Sequence, residues 1–152
     1  TVVKAVATLE DTINGTVGPK ALPGATMRYL IVTTNSGTGL VDADTLVVTD
    51  PVPANMGLRV TDFDGSTPGP VQFIDGSTAS GLSYSFIALD DPTDDLSFSD
   101  DDGATFDYEP TADANGVDLA VTTIRINPKG AMAGSTTAGD PSVQLAFKMI
   151  VQ

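Results

Sequence analysis

Asp90, Asp91, Asp94 and Asp95 form one run of carboxylates, Asp100, Asp101 and Asp102 a second, and Asp113 and Asp118 bracket a third. Oxygen-rich loops of this kind suit hard cations, which take carboxylate and carbonyl ligands from flexible turns. Calcium is therefore the metal to expect, and Asp94, Asp95, Asp100, Asp101 and Asp102 are its candidate ligands. No Lys or Arg stands between Arg59 and Arg125 to neutralise them. None of the runs fits an EF-hand loop, because Phe98 stands four residues before Asp102 where an acid would be needed. The competing reading is a set of solvated acidic turns, and the residues alone leave both open.

Other chemistry is poorly provided for. The chain has no His and no Cys, which removes the usual general base, the strongest nucleophile and any disulfide or thiolate metal site. Two carboxylates about 5 to 10 Å apart would serve a glycosidase, but abundant Asp is not a constellation and no Trp is present to stack a sugar. No S-x-x-K motif supports serine–lysine chemistry. The chain is expected not to be an enzyme.

Ser99-x-Asp101-x-Gly103-x-Thr105-Phe106 resembles the Asp-box of sialidases and other exported β proteins, with Phe where Trp is commoner. The resemblance implies a hairpin turn in which Ser and Asp side chains hold loop amides and the aromatic packs against the turn. It does not imply sialidase activity, because the arginines that would hold a sialic acid carboxylate are missing from this region.

The elements that must carry these turns are strands. All but Glu10 and Glu109 of the twenty acidic residues are Asp, with fifteen Gly and ten Pro; Asp, Gly and Pro favour turns over helix. Thr1 to Leu9 reads as a first strand. Ala25 to Thr34 alternates with Met27, Tyr29 and Ile31 on one face, and Ser142 to Gln152 with Val143, Leu145, Phe147, Met149 and Val151 on one face. Thr45 to Thr49 is a strand expected to stop at Asp50-Pro51. Leu58 to Phe63, Val71 to Ile74, Leu82 to Leu89, Leu96 to Ser99, Thr105 to Tyr108 and Val121 to Asn127 complete the series. Some eight to ten strands with no internal repeat predict an all-β, Ig-like, two-sheet antiparallel sandwich, with residues 1–152 forming one domain.

Three segments then carry a family resemblance. Pro23-Gly24-Ala25-Thr26-Met27-Arg28-Tyr29, Thr34-Asn35-Ser36-Gly37 and Asp50-Pro51-Val52-Pro53-Ala54 resemble, in order and spacing, the secreted "conserved repeat domain" family, domain of unknown function eleven. The likeness covers about Thr1 to Met56. It implies an Ig-like sandwich, export and a surface or matrix location, and no activity.

Charge narrows the partners. A formal charge of −13 repels nucleic acid and anionic lipid. No apolar run approaches the ~18 residues of a membrane span, so direct insertion is not expected. A chain opening on Thr1 is what signal-peptide removal leaves, which makes a secreted, extracellular or cell-surface location the expectation. The N-terminal stretch adds a further one. Val2, Val3, Val6 and Leu9 would be costly to leave in water, at roughly 1.5–3 kcal/mol per large side chain. Residues 1–9 must complete their own sandwich or act as a donor strand to the sheet of a neighbour. The second course makes the chain a homopolymeric subunit of a filament, surface fibre or biofilm matrix; a monomeric adhesion or carbohydrate-binding module with a glycan partner is the alternative.

Overall fold

The computed structural model describes residues 1–152 as nine strands with no helix: β1 (Val2–Glu10), β2 (Thr26–Thr34), β3 (Val48–Pro51), β4 (Met56–Arg59), β5 (Val71–Asp75), β6 (Leu96–Ser99), β7 (Val117–Asp118), β8 (Thr123–Ile126) and β9 (Ser142–Val151). All pairings are antiparallel. The large sheet runs β1-β2-β9-β4-β7, with β5 taking the other half of the β9 edge that β4 shares; the small sheet runs β3-β8-β6. The expected sandwich is therefore present.

The two strands with the clearest alternation form its centre. Tyr29 and Phe147 are direct partners across β2 and β9, and their rings stack at 5.7 Å. They point inward with Ile31, Val143, Leu145 and Met149, and meet Val48, Leu96, Phe98, Ile124 and Ile126 of the small sheet in one hydrophobic core. Period-two patterning put these residues on one face, and burial of that face holds the layers together.

Several expected strands differ. Leu82 to Leu89 is not a strand: only Ser83 bridges, to Lys129, and other amides of the segment are taken by Asp side chains rather than by a neighbouring strand. Thr105 to Tyr108 keeps a single bridge, Tyr108 to Phe98, because the preceding turn spends its hydrogen bonds on side chains. β3 begins only at Val48 and runs through Asp50 and Pro51 instead of stopping there. Pro51 is tolerated because β3 is an edge paired on one side only. β4 covers Met56–Arg59 rather than Leu58 to Phe63, and β7 arises unexpectedly inside the third acidic run.

Candidate assembly edge and the Asp-lined turns

β1 is an edge strand with an unusual surface. It pairs with β2 of its own chain from Val2↔Thr33 to Glu10↔Thr26, with an irregularity at Leu9. The register puts Val2, Lys4, Val6 and Thr8 on the inward face, opposite Thr33, Ile31, Tyr29 and Met27, and Val3, Ala5 and Ala7 on the outward face. Yet Val2 is 65%, Val3 56% and Val6 48% exposed. No residue of β1 belongs to the buried core that the two sheets share. The four residues expected at a subunit contact share one strand but not one face, and Leu9 sits half-buried in the irregularity.

The free edges are also clear. The sheet edge beside Ser142 to Gln152 is occupied: β9 is central, with β2 on one side and β4 and β5 on the other. β1 leaves its outer main-chain edge unpaired, and β2 would be open only if β1 left. The segment after β1 is less slack than its Gly and Pro content suggests. The Asp11 carboxylate accepts amides of Ile13, Asn14 and Lys20, led by Asn14 in holding its carboxyl far below the ordinary value.

Lys4 is the β1 side chain with a hydrogen bond across the sandwich. Lys4 Nζ donates to Asp50 Oδ1 of β3 at 2.6 Å and lies 4.9 Å from the Tyr29 ring centroid. Burial, then the Asp50 charge, push the Tyr29 hydroxyl upward.

The Asp runs serve the backbone. Asp94 accepts the amides of Ile87 at 2.7 Å and Ala88 at 3.2 Å, one on each oxygen; burial pushes its carboxyl up. Asp95 accepts the Ser85 amide at 2.7 Å and lies 3.7 Å from Lys129 Nζ. In the third run Asp118 accepts from the Tyr108 hydroxyl and the Thr111 and Ala120 amides, while Asp113 accepts the Asn115 and Val117 amides. Asp100 and Asp102 are exposed. No three carboxylates converge where they could hold a metal ion.

The Asp-box residues do come together. Ser99 Oγ donates to Asp101 Oδ1 at 2.6 Å and accepts the amides of Asp101 and Gly103. Asp101 also accepts the Thr105 amide at 2.9 Å and its hydroxyl at 3.0 Å. These bonds, first that from Ser99, lower the Asp101 carboxyl. Gly103 sits at φ +85°, a conformation glycine adopts without strain. Phe106 packs against the guanidinium of Arg125, 4.1 Å from its ring centroid. Arg125 is brought beside this turn from β8 by the fold. Arg125, Phe106, Tyr108, Leu89, Asp94 and Glu109 help line an open cleft of about 660 Å³. Sequence reasoning missed this cleft because its walls come from separate segments. Lys4–Asp50 was missed for the same reason.

No helix of the chain is long and apolar enough to cross a membrane. Comparison with protein-family models, with curated proteins and with solved structures gives no match in any of the three.

Proposed function

We propose that the chain is an extracellular structural subunit that joins copies of itself into a filament or surface fibre, each copy giving residues 1–9 to the sheet of the next. The observation that carries this reading is β1, a long, largely apolar edge strand exposed on both faces and contributing no residue to the buried core. Exchange of such a strand remakes in a neighbour the same main-chain ladder it leaves behind, which is the low-cost route of swapping, and a head-to-tail contact that does not close continues as a fibre. The likeness to an exported family and the absence of His and Cys point the same way. Calcium enters as a counter-ion: subunits of charge −13 must be screened to pack.

A protein lacking residues 1–9 should remain a soluble, folded, less stable monomer, and electron microscopy should find no fibres. Adding the 1–9 peptide should restore its melting temperature without restoring fibres. The intact protein should assemble in calcium and disperse in chelator at low salt. Fibres from the truncated protein would exclude β1 as donor, and a wholly unfolded truncation would assign β1 to its own sandwich alone.

The cleft beside Arg125 supports the second reading, a monomeric cell-surface adhesion or carbohydrate-binding module. Dispersed particles of the intact protein, with glycan binding that is lost in Arg125→Ala, would favour it.

A further inference from the structure

Along β1 the apolar residues are interchangeable, but Lys4 is not. It lies on the inward face between Val2 and Val6, and its side chain is 38% exposed against 9% for Asp50. Asp50 Oδ1 takes the ammonium, and Asp50 Oδ2 is buried with no hydrogen-bond partner. No other cation stands within 4.0 Å of that carboxylate, since the remaining ion pair of the molecule joins Lys129 to Asp95. A buried carboxylate with one charged partner depends heavily on it.

Register makes the dependence selective. A slip of one residue would turn Lys4 to the outward face and offer Asp50 the side of Val3 or Ala5, and a slip of two would offer Val2 or Val6. The β1 side chains add little burial in the native register, whereas either slip strands the Asp50 charge. An unrelated apolar strand laid against β2 would do the same.

We propose that Lys4 and Asp50 form the lock that sets register and partner identity between copies: the groove beside β2 accepts a second copy's N-terminal strand because that strand presents a cation to Asp50. The proposal rests on the strand-donation reading above. It names the residues that make the donor a second copy of this chain rather than any apolar strand.

Lys4→Glu, Asp50→Lys and the double variant test it. Each single variant should fail to form fibres alone. Their equal mixture should form them, because the Lys4→Glu strand meets the Asp50→Lys groove while the native Lys4 of the second protein meets the native Asp50 of the first. The double variant and the charge-keeping Lys4→Arg should also assemble. Should Asp50→Lys not fold, Asp50→Asn replaces it, with assembly about tenfold slower, in line with the coupling of contacting charges, and partly recovered by adding Lys4→Gln. Single variants that assemble like the native protein would overturn the lock. A mixture that fails while the double variant assembles would confine the pair to one chain and overturn its copy-to-copy role. If the native protein makes no fibres, the strand-donation reading and the copy-to-copy role fall together. Melting temperatures then decide the rest: recovery in the double variant keeps a register role within the chain, and four equal values remove that too.

Discussion

At the scale of the residue, the recurrent device is a short oxygen-bearing side chain standing in for a strand. Ser99 does this most economically. Its hydroxyl is wholly buried and makes three hydrogen bonds around the turn from Ser99 to Thr105, to Asp101 Oδ1 and from the amides of Asp101 and Gly103. Ser99→Ala removes all three and leaves two amides without their acceptor. The expected loss is about 1–3 kcal/mol, read as a lower midpoint in urea with the slope unchanged. An unaltered midpoint would mean that Asp101, Thr105 and Thr122 hold the turn without the Ser99 hydroxyl. Asp94 and Asp95 act similarly on the Ser85 to Ala88 amides.

At the scale of the element, strand formation divides by burial. β2 and β9 have partners on both edges and an inward face sealed by the small sheet. β1 has one partner, and its side chains add little burial to the ladder. Its opening free energy should therefore lie well below that of the whole molecule. In native-state hydrogen exchange, the β1 amides bonded to β2 should exchange at least tenfold faster than those of β9, since ~1.4 kcal/mol of extra opening free energy gives that factor. Equal protection would mean that β1 opens only with global unfolding. That would leave strand exchange without an accessible intermediate.

At the scale of the whole molecule, the hydrogen-bonded carboxyls set the response to acid. The Asn14 amide at Asp11, the Ser66 amide at Asp64, the Thr93 hydroxyl at Asp91, the Ser99 hydroxyl at Asp101 and the Val117 amide at Asp113 lead in holding each carboxyl below its ordinary value of 3.8, with Asp64 at about 2. A carboxyl lowered in the folded state adds stability that is full above its unfolded value and is lost as pH falls through the folded one. Asp94, raised by burial, has the opposite sign: its contribution fades as pH rises through its folded value. Asp75, bonded by the Ser80 and Gly76 amides, is lowered as well, and six groups outweigh one. The melting temperature should be level from about pH 5 to 8 and fall steeply below about pH 4. A maximum near pH 3 would show that repulsion among the acidic runs dominates instead.

The sequence by itself determined the class of fold and its centre. Alternation in Ala25 to Thr34 and Ser142 to Gln152 names the inward residues, because a pleated strand turns successive side chains to opposite faces. The Asp-box turn was legible too, since the bonds among Ser99, Asp101, Gly103 and Thr105 span five residues or fewer, although Thr122 also ties the turn down from a distant segment. What only the tertiary structure decided depends on chain separation. Lys4 reaches Asp50 across 46 positions, and Arg125 meets Phe106 from another strand; no periodicity encodes either contact. The fate of Leu82 to Leu89 was hidden for a related reason. Its composition suits a strand, but a strand needs a neighbour to bond, and the fold places Asp94 and Asp95 there instead. The exposure of β1 is likewise a tertiary fact, since it depends on what the fold packs against an edge strand.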